Sequence, residues 1–326
     1  MAASAVTDRL PRVGIGTVPL GNLYETVSDA AAESTLQAAW SAGVRWFDTA
    51  PVYGMGLAER RLGHALRAWP REEFVLSSKV GRVLEKGAPP DAALQPGGRP
   101  FFVTDGESNP RFDFSPAGID RSLTDSLERL GVDHLDIAFV HDPEDYADQV
   151  VAETIPHLVE LRDAGMIRAI GVGMTRTEVL TDIVTRAPLD LVMIAGRYTL
   201  LDAGAGGELF PACLDAEVPV VVSGVFNSGV LAGGTDTFDY VGAPAEILER
   251  VQRIREVCEG FDVPLPSAAI AFALGHPAVR SVVLGVRSER EVRDNLRFTQ
   301  THVPGALWHE LQHRGLIPND AEVVEP

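Results

Sequence analysis

The sequence predicts an α/β protein: a closed (β/α)8 TIM barrel with a long loop after the third strand and an extra helix at the C-terminus. Three observations carry that expectation. Short, β-rich apolar runs alternate with longer helical patterns from one end of the chain to the other, as they do where parallel strands are joined by crossover helices. Eight such units can be counted, the number that closes a barrel. A doubly wound sheet of this length more often carries a GxGxxG turn, and Gly14-Ile15-Gly16 lacks the third glycine.

In chain order the expected strands are Val13 to Thr17, Arg45 to Asp48, Phe74 to Ser78, Leu135 to Val140, Ala169 to Gly173, Leu191 to Ala195, Val218 to Val222 and Ser281 to Leu284. Helical periodicity intervenes at Ala30 to Ala42, Ala58 to Ala68, Pro116 to Leu130, Val150 to Ala164, Thr177 to Arg186, Gly207 to Ala216, Ala245 to Phe261 and Glu289 to Phe298. A further helix, Ala306 to His313, ends at Gly315. Residues 1–326 are read as one barrel domain, although length alone would also accommodate two. Two connections exceed ordinary loops. Residues 83–113 combine clustered prolines and glycines with Phe101, Phe102 and Phe112, and are read as a substrate-covering loop. The glycine-rich stretch Gly229 to Pro244 follows the seventh strand.

On a barrel, side chains just past the strand ends converge on one face. Asp48, Lys79 and His141 each follow such a run, and Tyr53 sits in the loop after Asp48, flanked by Gly54 and Gly56. A free tyrosine, with a pKa of about 10, transfers protons poorly near neutrality unless its phenolate is stabilised. A lysine ammonium beside the phenol lowers that pKa, an aspartate keeps the lysine charged and oriented, and a histidine can hydrogen-bond the same substrate oxygen. Alone, each has an ordinary role: Asp48 as a helix cap, Tyr53 as a half-buried aromatic, Lys79 as a solvated strand end, His141 as a core histidine. Together they form an acid/base group suited to an alcohol or carbonyl oxygen. No side chain donates or accepts hydride, so a nicotinamide cofactor is implied.

A metal site is the competing reading, since His141, Asp142, Glu144 and Asp145 cluster in sequence. No His-x-His occurs on the first strand and the other histidines are scattered, so no metal is expected. With 28 basic and 46 acidic residues, the net charge of −18 disfavours nucleic acid and anionic membranes as partners. The 45% hydrophobic and 23% charged content is that of a globular protein without disorder. Cys213 and Cys258, the only cysteines, give neither a disulfide framework nor a zinc site. Residues 1–11 carry no signal-peptide core and no apolar run reaches membrane-spanning length, so a cytoplasmic location is expected.

The chain resembles the aldo-keto reductase family from about Arg12 to about Leu316. The motifs are Gly14-Ile15-Gly16-Thr17, Phe47-Asp48-Thr49-Ala50-Pro51-Val52-Tyr53-Gly54, Ser77-Ser78-Lys79, Arg121-Ser122-Leu123, Ser126 to Gly131, His134-Leu135-Asp136 before His141, and Gly165 to Val172. Within the family it is similar to the D-threo-aldose 1-dehydrogenases and L-fucose dehydrogenases, with which pyridoxal 4-dehydrogenases group. That similarity rests on His141 to Asp145, Gly171 to Met174, Ala195 to Asp202 and Gly224 to Gly229.

The resemblance implies Asp48, Tyr53, Lys79 and His141 as the catalytic set. It implies a nucleotide held by Gly16, Thr17, Asp48, Ser223, Val225, Phe226, Ser228, Gly229, Val286, Arg287, Glu291 and Asn295. Two departures from the wider family stand out: Gly173-Met174 replaces the Ser-Asn pair that commonly holds the nicotinamide amide, and Ala195 replaces a glutamine. Ser223 stands where many members stack a tyrosine on the nicotinamide, and Thr175-Arg176 where the sugar-oxidising branch usually carries Asn-Gln. Glu291 occupies a place where NADP-preferring members often carry arginine, which predicts NAD as the preferred cofactor, with NADP the second option and Arg287 still nearby. The expected reaction is oxidation of the anomeric hydroxyl of an aldose, such as L-fucose or D-arabinose, to a lactone. The alternatives are a pyridoxal 4-dehydrogenase, an NADPH-dependent reductase of aldehydes or ketones, and a nucleotide-binding regulatory subunit without activity.

Overall fold

Eight parallel strands close on themselves in the computed structural model, which describes residues 3–95, 100–319 and 321. They are β1 (Val13–Gly16), β2 (Trp46–Asp48), β3 (Val75–Val80), β4 (Leu135–His141), β5 (Ile167–Met174), β6 (Leu191–Ala195), β7 (Val220–Ser223) and β8 (Val279–Gly285). Each pairs with its sequence neighbours, and β1 closes the ring by pairing with β8, Gly16 opposite Gly285. The expected (β/α)8 barrel is therefore the observed one. Its strand ends lie level where function concentrates: Gly16 is opposite Asp48, Asp48 opposite Ser77, and His141 opposite Gly173.

Local chemistry fixes the crossover helices. Ser28 caps Asp29–Ser41 by accepting from Ala31 N, and Ser115 caps Pro116–Leu130 by accepting from Gly118 N. The latter helix opens on a proline and closes on Gly131 in the left-handed region, the usual order of breakers. Between the helices and the barrel lies one large apolar layer, and a second cluster fills the barrel interior with Trp46, Ile137, Phe139, Leu191, Met193 and Val221. The interior is thus a packed core rather than a pore.

Several expectations change. The helix expected over Val150 to Ala164 begins as a π-helical turn, Val150–Thr154, before the α-helix Ile155–Asp163. Pro156 lacks the N–H that an α-helical bond at that point needs. Two helices, not one, join β7 to β8: Ala245–Gly260 and Leu265–Leu274. A short helix, Ala3–Arg9, precedes β1, and Val6 and Leu10 join the barrel's interior cluster. Most of the region read as a loop at 83–113 is ordered by an antiparallel hairpin, Arg82–Lys86 with Ser108–Phe112, while residues 96–99 lie outside the described residues. Phe102 crosses to form a bridge with Leu23 in the β1 connection. Among the described residues no single helix is long and apolar enough to cross a membrane. Both cysteines are buried free thiols, pushed up by burial to about 12.

Candidate active site

Asp48 ends β2, and its carboxylate is divided between two donors from β3. Oδ1 accepts from Ser77 Oγ at 2.7 Å and Oδ2 from Lys79 Nζ at 2.7 Å. Ser77 Oγ in turn accepts from Trp46 Nε1 at 3.1 Å, so the interior tryptophan anchors the far end of the chain. Lys79 Nζ also donates to Thr49 O at 2.9 Å and lies 4.9 Å from the centre of the Tyr53 ring. Lys79 falls within β3 rather than beyond it, and His141 is the last residue of β4. The Tyr53 and His141 rings meet edge to face at 6.1 Å. The four residues therefore converge on the C-terminal mouth from three adjacent strands and the β2 loop.

Tyr53 reaches this point because its turn presses against the Val18–Gly21 turn after β1. A Cβ at Gly21 would lie 2.6 Å from the Tyr53 carbonyl carbon, and one at Gly54, where φ is +65°, would lie 2.3 Å from Gly21 O. Only glycine permits two backbones to approach so closely.

Burial pushes the Tyr53 phenol above its ordinary value and outweighs the opposing effect of Lys79; Asp48 acts in the same direction as burial. Lys79 lowers the phenol pKa as expected, but the half-buried tyrosine's anion loses more hydration than one shared ammonium returns. Burial also works against the Lys79 ammonium, but Asp48 and Tyr53 together raise its pKa. For His141, burial first and then Arg82 and Lys79 depress the pKa well below the usual value, so the imidazole is neutral. Its Nδ1 is buried without a partner, and an orphaned acceptor is less costly than an orphaned N–H. The single proton accordingly belongs on Nε2, which lies 3.5 Å from Asp142 Oδ2.

Sequence reasoning passed over Arg82 and Tyr240 here, and weighed Asp142 only as a metal ligand and as part of a family motif. Arg82 is 4% exposed and donates to Asp142 Oδ2 at 3.0 Å and to Asp91 Oδ2 at 2.5 Å. Asp142 Oδ2 lies 3.5 Å from His141 Nε2. Tyr240 occupies the two-residue tip, with Asp239, of a hairpin formed by Thr237–Phe238 and Val241–Gly242 after β7. Arg197 pairs with Asp239 at 3.0 Å, and Tyr240, whose ring packs on Phe101 at 5.1 Å, remains 42% exposed. Phe102 lies 6.3 Å from the Tyr53 ring, while Phe101 packs against Tyr24 and Tyr240. Phe112 does not join them: it packs on Phe114, Tyr146 and the Arg82 guanidinium. Among the described residues no three His, Cys, Asp or Glu side chains converge as a metal site requires.

The residues expected at a nucleotide sit at or just after the ends of β7, β8 and β1, neighbours in the ring, apart from Asp48 at the end of β2 and Glu291 and Asn295 in the helix Glu289–Thr299. Ser223 ends β7, and Phe226 precedes the turn containing Ser228 and Gly229, both in the left-handed region. Ser228 Oγ accepts from Tyr240 N at 2.9 Å. Val225 and Val286 are buried, so only their backbone groups can face a ligand. Thr17 donates from Oγ1 to Asp48 O at 3.0 Å, and Asn295 donates to Gly285 O at 3.3 Å. Glu291 ties down the helix start: its N–H donates to the N-cap Ser288 Oγ at 3.2 Å, and Oε2 accepts from Arg287 N, one residue before the cap, at 2.9 Å. The Arg287 guanidinium pairs with Glu25.

The fold thus brings Asp48, Tyr53, Lys79 and His141 together at the C-terminal mouth of a closed parallel barrel. The chain belongs to the aldo/keto reductase family, whose members are NAD(P)-dependent oxidoreductases; the family model matches residues 12–311. It is 41% identical to a D-threo-aldose 1-dehydrogenase of Pseudomonas sp, covering 97% of this chain and 98% of that one. It is 39% identical to a pyridoxal 4-dehydrogenase of Microbacterium luteolum, covering 94% of each. Among solved structures, the holo form of an aldo-keto reductase from Bacillus halodurans superposes with a TM-score of 0.75 at 26% identity, covering 96% of this chain and 94% of that one.

Proposed function

We propose that this chain oxidises the anomeric hydroxyl of an aldose, such as L-fucose or D-arabinose, to a lactone, with NAD as the preferred hydride acceptor. The observation that carries the reading is the convergence of Asp48, Lys79, Tyr53 and His141 at one mouth of the barrel. Relatives acting on aldoses and on pyridoxal support the substrate class.

The nucleotide, when bound, supplies the hydride acceptor. Its fit to this end of the barrel is supported by the hydroxyls of Ser223 and Ser228 and the guanidinium of Arg287 on adjoining strand ends. Tyr53 takes the substrate's hydroxyl proton in oxidation and returns it in reduction. Lys79, kept charged by Asp48, opposes the burial that disfavours the phenolate. Neutral His141 donates from Nε2 to the reacting oxygen and fixes its position. For the cofactor, Glu291 engages the Arg287 backbone and Glu25 engages its guanidinium, so both groups nearest the expected 2′-phosphate position are tied to carboxylates. Two carboxylates at that point repel a phosphate and favour NAD.

A second reading, oxidation of pyridoxal, is favoured by the aromatic wall of Phe102 beside Tyr53 and of Phe101, Tyr24 and Tyr240 next to it. The segment carrying Phe101 and Phe102 covers the substrate in either case. The test is initial-rate oxidation of L-fucose, D-arabinose, L-galactose and pyridoxal with NAD and NADP, followed by nicotinamide absorbance. A sugar-dependent rate with NAD is expected. Oxidation of pyridoxal alone would select the second reading, and silence on every alcohol with NADPH-dependent aldehyde reduction would overturn both. An NADP-to-NAD ratio of kcat/KM above unity would refute the cofactor assignment.

A further inference from the structure

Asp142 is held in an unusual way. It follows β4 directly, its φ of 47° lies in the left-handed region, and its N–H donates to Gly173 O at 2.9 Å, which locks the backbone there. A non-glycine residue in that region is uncommon, though Asp and Asn tolerate it best, and such positions concentrate at functional sites. The twist turns the carboxylate inward, beside His141, instead of out to solvent. Arg82, itself almost wholly buried, holds Oδ2 at 3.0 Å. Oδ1 makes no hydrogen bond to the described residues, and the side chain, whose Oδ2 lies 3.5 Å from His141 Nε2, is 29% exposed.

We propose that Asp142 is a specificity-determining residue: its open oxygen accepts a hydrogen bond from a hydroxyl on the atom next to the reacting carbon. The inference rests on the functional reading above, in which His141 Nε2 binds the reacting oxygen. The Arg82-held oxygen, Oδ2, lies 3.5 Å from that nitrogen, so the carboxylate, and with it the unpaired Oδ1, stands about one functional group from the reacting oxygen. Its natural partner is the hydroxyl of a vicinal pair. Cyclic hemiacetals with a 2-hydroxyl and 2-hydroxyaldehydes share that arrangement, so the element reads the aldose class; an ortho-hydroxy aromatic aldehyde such as pyridoxal carries its hydroxyl one carbon further from the reacting carbon and does not. A simple aldehyde places a hydrogen or methylene against the carboxylate and leaves a partly dehydrated acceptor unpaired, a penalty that polar sites use to reject such analogues. Arg82 is the positioning residue, with a second carboxylate, Asp91, accepting from its other terminal nitrogen.

The test compares kcat/KM within matched pairs differing by that hydroxyl: 2-hydroxypropanal against propanal and glycolaldehyde against acetaldehyde in reduction, and L-fucose against 2-deoxy-L-fucose in oxidation. Wild type is expected to favour the hydroxylated member by tenfold or more. Asp142→Asn keeps the backbone twist and an acceptor for Arg82, and Asp142→Ala removes the group; circular dichroism and Tm establish that each variant folds. In both variants the preference falls at least tenfold toward unity, because the loss lands on the hydroxylated partner. A wild-type preference near unity, or an equal loss on both members of every pair, would overturn the assignment and leave Asp142 a structural partner of Arg82. A hydroxyl preference that depends on Asp142 in the aldehyde pairs, with no aldose oxidised, would sustain Asp142's role while removing the aldose reading.

Discussion

Asp48 Oδ2 and Lys79 Nζ lie 2.7 Å apart with each side chain only 3% exposed, joining the ends of β2 and β3 through a desolvated ion pair. The surroundings complete it: Ser77 donates to the other carboxylate oxygen, and Thr49 O accepts a second lysine proton. A pair buried this deeply is worth little against an apolar substitute, but breaking it leaves one charge uncompensated.

Replacing Asp48 by Asn removes the counter-charge and leaves the Lys79 ammonium buried. Urea unfolding is expected to show a loss of about 3–5 kcal/mol. A loss under about 1 kcal/mol would mean that Lys79 sheds its proton in the variant instead of remaining charged.

Tyr53→Phe deletes the one hydroxyl proposed to exchange a proton with substrate while keeping the ring beside His141 and Phe102. The kcat should fall by about 10³-fold, the scale of a lost general acid or base. Nucleotide affinity, read by fluorescence titration, should hold. Near-normal turnover would remove Tyr53 from the chemistry.

Gly21→Ala tests the backbone approach that seats Tyr53. Its Cβ meets the Tyr53 carbonyl carbon at 2.6 Å, and no flexible side chain is there to yield. A stability loss of about 1–3 kcal/mol is expected from overpacking, together with reduced kcat as the turn shifts. Gly260→Ala, where a Cβ meets nothing within 4 Å, is the control and should change neither.

His141 ties stability to acid pH. Its folded pKa is depressed well below the unfolded value of about 6.5, so the folded state binds fewer protons than the unfolded one below that pH. The stability it contributes is present above about pH 6.5 and is lost as pH falls from there through the folded pKa. A His141→Phe protein should therefore lose less Tm than wild type between about pH 7 and pH 5. Equal losses would show that His141 is not held neutral.

The sequence alone carried the order and approximate extent of all eight strands, because each is a short apolar run set between helical patterns and needs no distant partner to be recognised. It also singled out Asp48, Tyr53, Lys79 and His141, since strand-end residues of a barrel share one face whatever the loops do. The helix Leu265–Leu274 stayed hidden because it is buried on nearly every side and shows no amphipathic period. The Arg82–Lys86 hairpin stayed hidden because its strands pair across a long excursion, with Pro110 inside one of them. Only the tertiary structure decided that Arg82 turns the Asp142 carboxylate inward, that Tyr240 reaches the mouth from a hairpin after β7, and that burial outweighs Lys79 at the Tyr53 phenol. Periodicity is a property of neighbours along the chain, whereas desolvation and charge are summed over neighbours in space, and those sums exist only once the barrel has closed.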